Sequence, residues 1–144
     1  MFTSDRCLLD TNILTTMLKD DNNEVEEVPE EQTKIIFQEQ KKAIFCTGCQ
    51  NLITYPEYKI AVNGKHEHVF FNPHGIVFEV GCFSYASGCL PVGSPTLEFT
   101  WFEGYAWKIV ICSSCFAHMG WQYLSEAGTG FLGLILSHIE EKEL

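Results

Sequence analysis

The sequence predicts a small all-β domain stapled by one metal ion, and three observations predict it. Two Cys-x-x-Cys pairs, Cys46/Cys49 and Cys112/Cys115, stand far apart in the chain. Between them, short apolar runs alternate with Gly, Pro and Asn turn signals, and no βαβ pattern separates them.

Each element follows from local chemistry. In residues 1–40, Leu8, Leu9, Ile13, Leu14, Met17 and Leu18 form a weak helical pattern that gives way to the acidic run Glu24 to Glu31. A further helical turn or two is expected between Glu30 and Lys42, with Ile35, Ile36 and Phe37 facing inward. The expected division is therefore an acidic N-terminal segment over 1–42 and a folded domain over 43–144. Val62-Asn63-Gly64-Lys65 carries the Asn-Gly pair that supplies positive φ for a tight hairpin turn. Asn72-Pro73-His74-Gly75 has the residues of a type I turn, and Ile76 to Val80 returns as the partner strand of His68 to Phe71. Alternation predicts that Leu97, Phe99 and Trp101 share one face of an extended segment, which Glu103-Gly104 ends. Trp107, Ile109 and Ile111 alternate with Lys108 and Val110, and Trp121 shares a face with Tyr123. Phe131 to Ile139 suits strand or helix equally.

Bulk properties narrow the function. The 144 residues are about one domain's worth, and the net charge of -10 opposes binding to nucleic acid, whose phosphates demand Lys and Arg. No apolar run approaches a membrane span, and the first thirty residues lack the basic start and apolar core of a signal peptide. These readings predict a cytoplasmic or nuclear protein, with no membrane or nucleic-acid partner.

Paired Cys-x-x-Cys units are better read as metal ligands than as disulfides in a reducing compartment. Each places two thiolates on one edge of a tetrahedron, and two complete it. Cys46, Cys49, Cys112 and Cys115 are therefore expected to hold one structural Zn2+. Such a closed thiolate shell leaves no open position for catalysis. His118, three residues beyond Cys115, is expected in a supporting or core role; His66 and His68 are expected at an exposed strand end. His74 and His138 have no evident partner in the sequence. The remaining Cys7, Cys82 and Cys89 read as small apolar groups or surface thiols.

All three tryptophans, Trp101, Trp107 and Trp121, fall within a short stretch beside Phe99, Tyr105 and Tyr123. They are either core or the walls of an aromatic cage. A cage suits a methylated cation, for which Glu98 and Glu103 supply charge, or a compact neutral ring oriented by the backbone between Phe99 and Trp101.

The motifs Asn72-Pro73-His74-Gly75, Glu98-Phe99-Thr100-Trp101-Phe102-Glu103-Gly104-Tyr105-Ala106-Trp107 and Cys112-x-x-Cys115-x-x-His118-x-Gly120-Trp121-x-Tyr123 resemble the cereblon thalidomide-binding (CULT) domain family in its single-domain form. The resemblance covers roughly residues 44 to 139. It implies a β-tent, two antiparallel sheets at a steep angle pinned by the zinc site. It also implies that the tryptophans cage a cyclic imide such as glutarimide, a thalidomide-type ligand, a C-terminal cyclic imide on a modified protein, or uridine. The implied ligand-binding set is Asn72, Pro73, Phe99, Thr100, Trp101, Trp107, Trp121 and Tyr123. Within it, the Phe99 carbonyl accepts the imide N–H and the Trp101 amide donates to a ring carbonyl. Animal members commonly carry His at the position of Phe99. The Lon-like domain that joins a ubiquitin ligase adaptor is not in this sequence, so no such partner is expected.

Two rival readings follow from similar motifs. A methionine-R-sulfoxide reductase shares the knuckles but needs a nucleophilic cysteine downstream of Cys115, and this sequence has none there. A protein-interaction module of the Yippee or Mis18 type would use the aromatics as packing alone. The expected protein is a zinc-stabilised ligand reader and not an enzyme.

Overall fold

A computed structural model of the chain describes residues 41–144, which form nine strands and two single-turn 3-10 segments. The strands are β1 (Lys42–Cys46), β2 (Leu52–Thr54), β3 (Glu67–Phe71), β4 (Val77–Phe83), β5 (Cys89–Thr96), β6 (Tyr105–Cys112), β7 (His118–Ser125), β8 (Gly130–Ile135) and β9 (Ile139–Glu143). Two antiparallel sheets result, one ordered β2-β1-β9 and the other β3-β4-β8-β7-β6-β5. The chain passes from the larger to the smaller through the 3-10 turn Leu136–His138. No helix among the described residues is long and apolar enough to cross a membrane.

The turns form where the sequence places them. Asn63 and Gly64 take φ values of 54° and 89° between Val62 and Lys65, whose backbones bridge. The Gly75 N–H donates to the Asn72 carbonyl at 2.9 Å, closing the β3–β4 hairpin. Asn72 Oδ1 also accepts the N–H groups of His74 and Ile76, at 2.9 and 2.8 Å. A short acceptor side chain with Pro next to it is the chemistry of such a turn.

Alternation gives the larger sheet two faces with different partners. One face contributes Phe83, Val110, Cys112, Met119 and Leu134 to a core shared with Ile44, Cys46 and Ile53 of the smaller sheet. The other buries Val80, Cys82, Tyr123, Phe131 and Ile135 around Phe102. Glycine permits the tightest contact between strands. A Cβ on Gly120 would lie 2.0 Å from the Gly133 carbonyl oxygen, and Gly133 itself leaves room for the Tyr123 ring.

Three expectations need correction. Leu97 to Trp101 is a turn-rich loop, not an extended strand: the chain must reverse there between β5 and β6, and Phe99 takes φ 57° to make the reversal. Thr100 Oγ1 donates to the Tyr105 carbonyl at 2.7 Å and holds the loop closed. His68 is not at an exposed strand end but buried, stacked against Phe70 and edge-on to Phe102. His138 does have partners, described below. The segment Phe131 to Ile139 resolves as strand, 3-10 turn and strand. The helical patterns before residue 41, and Cys7, lie outside the described residues; Lys42, at the end of the second pattern, opens β1.

Candidate functional site

The two Cys-x-x-Cys turns are built alike. In the first, Gln50 N–H donates to the Cys46 carbonyl at 2.8 Å and Cys46 N–H to Asn51 at 2.9 Å. In the second, Phe116 N–H donates to Cys112 at 2.9 Å and Cys112 N–H to Ala117 at 2.8 Å. The residue after each second cysteine is left-handed, Gln50 at φ 65° and Phe116 at φ 66°. That reversal aims both sulfurs of each turn to one side.

The turns meet. Cys46 Sγ lies 3.8 Å from Cys115 Sγ, and Cys49 Sγ 3.6 Å from Cys112 Sγ. All four sulfurs fall within 4.8 Å of one another. Four thiolates about 2.3 Å from a tetrahedral zinc stand about 3.8 Å apart, so this geometry fits the ion. The chemistry of the donors agrees. Burial opposes ionisation of Cys112, yet N–H groups of Cys115 and Ser114, the Cys49 thiol and the Asn51 amide bring its pKa down to about 6. Cys115 receives a lowering backbone bond from Ala117, but the crowd of neighbouring thiols Cys49, Cys46 and Cys112 brings it up to about 11. A cation among the sulfurs would favour the thiolate form of all four. Among the described residues this is the one cluster suited to a metal.

On the opposite face of the larger sheet, the register sets Trp107 beside Tyr123 and Ile109 beside Trp121. The β5–β6 loop folds Phe99 and Trp101 over them, and the β3–β4 turn closes one side. These elements enclose a cavity of about 500 Å³, lined by Asn72, Pro73, His74, Phe78, Phe99, Trp101, Trp107, Ile109, His118, Trp121 and Tyr123. That volume matches small-molecule sites.

Hydrogen bonds anchor two of the indoles. Trp101 Nε1 donates to the Phe71 carbonyl at 3.0 Å, and Trp107 Nε1 to the Glu98 carbonyl at 2.8 Å. Trp101 also stacks on Phe70, centroids 4.7 Å apart. Trp121 stands perpendicular to Trp101 and to Phe78. Tyr123 forms the floor, where burial raises its hydroxyl pKa above the usual tyrosine range. His118 also faces burial, which lowers its pKa and keeps it neutral near pH 7. Its Nε2 lies 3.1 Å from the Gly120 carbonyl, away from the four sulfurs.

The structure brings together seven of the eight ligand-site residues expected from the sequence. Thr100 stands apart from the lining, its hydroxyl committed to closing the loop. Four lining residues went unassigned: His74, Phe78, Ile109 and His118. Alternation with Trp107 was the available signal for Ile109; the pairing of Phe78 with Phe70 across the β3–β4 register was visible only in the structure. The Phe99 carbonyl and the Trp101 amide have no hydrogen-bond partner among the described residues.

Together these features define a class: a two-sheet β domain with an aromatic pocket and a four-cysteine cluster that could hold a metal. Known proteins are consistent with that class. The chain is similar to protein cereblon of Danio rerio, 43% identical over 54 residues, or 38% of this chain and 12% of the relative. It is likewise 30% identical over 90 residues to protein cereblon of Drosophila persimilis, covering 58% of this chain and 14% of that protein. No family model matches. The relatives support a cereblon-like CULT domain in this chain, which spans only 12–14% of the length of these relatives.

Proposed function

We propose that residues 43–144 form a zinc-stabilised reader of cyclic imides. The pocket takes glutarimide, thalidomide-type ligands or C-terminal cyclic imides of modified proteins, and admits uridine as a related ring. The observation that carries this reading is an aromatic cavity lined by Phe99, Trp101, Trp107 and Trp121, two of whose residues, Phe99 and Trp101, leave a backbone carbonyl and amide without a hydrogen-bond partner among the described residues. An imide presents one N–H between two carbonyls, and a backbone acceptor and donor match that pattern without any charged side chain. Each bond contributes roughly 0.5–1.5 kcal/mol net, so burial between the indoles supplies most of the affinity. The neutral state of His118 suits a neutral ring better than a cation.

Zinc at Cys46, Cys49, Cys112 and Cys115 serves the fold. It joins β1 of the smaller sheet to β6 and β7 of the larger, contributing folding free energy and no catalysis. The reading is tested by titrating the zinc-loaded protein with glutarimide and following tryptophan fluorescence. Saturable quenching that disappears in Trp107→Ala supports it. No response at millimolar imide, with zinc and fold intact, overturns it and leaves an interaction module.

A further inference from the structure

A continuous line of contacts joins the metal centre to the pocket wall. Thr47, inside the first cysteine turn, donates its backbone N–H to the His138 carbonyl at 3.1 Å and its hydroxyl to the same oxygen at 3.3 Å. His138 Nδ1 lies 2.7 Å from the His118 carbonyl. A carbonyl only accepts, so Nδ1 carries the proton and donates. His118 opens β7 just beyond the second cysteine turn, and its Nε2 in turn donates to the Gly120 carbonyl at 3.1 Å. Its ring meets Trp121 at 90°, centroids 4.9 Å apart, and Trp121 meets Trp101 at 75° and 4.9 Å.

The position of His138 gives this line its meaning. The residue ends the 3-10 turn through which the chain crosses from β8 in the larger sheet to β9 in the smaller. It is therefore a second pin between the sheets beside the metal. Its backbone holds the first cysteine turn and its imidazole holds the strand that leaves the second. A metal at the four sulfurs would fix the separation of those two turns, and with it the His118 carbonyl that His138 holds. His118 packs edge-on to Trp121, and Trp121 is a wall of the cavity.

We propose that His138 is a positioning residue that couples metal occupancy of the four-cysteine centre to the placement of Trp121 in the pocket. Linkage makes the coupling reciprocal: whatever seats Trp121 also tightens the metal. The proposal rests on the imide reading only for its ligand arm; the contacts exist without it. The four sulfurs already bring the two cysteine turns together, so the His138 contacts are an addition to the cluster and not a part of it.

The test measures zinc release to a chromophoric chelator from the full chain, with and without saturating glutarimide. Wild type should release zinc about 10-fold more slowly with the imide bound, within the usual range of coupling between sites. In His138→Ala that protection should fall below about 2-fold, and His138→Asn, which can place a donor near the Nδ1 position, should restore it. Protection by simple stabilisation of the fold would persist in His138→Ala, so this pattern separates the strut from a general effect. Binding of glutarimide by fluorescence with equal protection in wild type and His138→Ala overturns the coupling and leaves the reader intact. If glutarimide does not bind, the reader fails, and the coupling is judged by zinc release from Trp121→Phe, His138→Ala and the double variant. Non-additive rates uphold it; additive rates overturn it.

Discussion

Trp121 stands edge-on to Trp101, ring centroids 4.9 Å apart at 75°, although the first lies on a central strand and the second on a loop. The perpendicular arrangement is the favoured one for aromatic pairs, and it leaves a corner in which a flat ring can sit. The two indoles also differ in burial: Trp121 is 8% exposed, whereas Trp101 is only half-buried. The loop tryptophan is thus the one whose loss the fold should tolerate.

Trp101→Ala should lower glutarimide affinity by tenfold or more, about 1.4 kcal/mol, while shifting the melting temperature by only a few degrees. Its neighbour Phe102, 1% exposed between His68, Tyr123 and Phe131, should behave oppositely. Phe102→Ala should cost about 3–5 kcal/mol of stability. Thermal melts beside fluorescence titrations check the pair; equal destabilisation by both would place Trp101 in the core.

Chelation should loosen the domain. Stripping the metal, or substituting Cys112→Ser, should abolish cooperative thermal unfolding, because the four sulfurs join strands of two sheets through chemistry worth several kcal/mol. Metal analysis with near-UV circular dichroism checks it. A stripped protein with an unchanged melt would show that packing alone holds the sheets.

Gly120→Ala should damage both the fold and the pocket. The added Cβ would meet the Gly133 carbonyl oxygen at 2.0 Å, so β7 and β8 must part. Trp121 follows directly, and its wall moves with the strand. We expect a loss of about 1–3 kcal/mol in urea unfolding together with weakened imide binding. Gly128→Ala, where nothing lies within 4 Å of the added carbon, is the control for strain from positive φ alone.

Stability should fall as the pH drops through the ordinary histidine range. Burial lowers the pKa of His118 in the folded state below 6.5, with the neighbouring His138 adding to the effect against a raising bond to Gly120. The unfolded chain therefore takes up a proton first, so the folded state is fully favoured above about 6.5 and loses ground below it. Urea midpoints at pH 5.5 and 7.5 in wild type and His118→Phe measure this contribution. A pH slope identical in the two proteins would remove His118 as its source.

The metal centre was legible in the sequence because Cys-x-x-Cys is a local device: two ligands and the turn that aims them lie within four residues. The tight turns at Asn63-Gly64 and Asn72 to Gly75 were legible for the same reason. So was the shared face of Trp107 and Ile109, since strand alternation is a property of the backbone. Other features depend on neighbours far along the chain. Leu97 to Trp101 alternates like a strand, yet the need to reverse between β5 and β6 bends it into the loop that carries the pocket rim. His68 looks like an exposed strand end until Phe70 and Phe102 close over it.

The all-β class, the four cysteines that could hold a metal and the aromatic residues available for a pocket are legible in the sequence alone. Only the tertiary structure decided which of those aromatics meet, that Thr100 turns away while His74, Phe78, Ile109 and His118 join the lining, and that His138 bridges the two cysteine turns. The physical reason is separation: ligand spacing and turn chemistry act over a few residues. The pocket and the His138 strut exist only once strand register brings together residues that are distant in the chain.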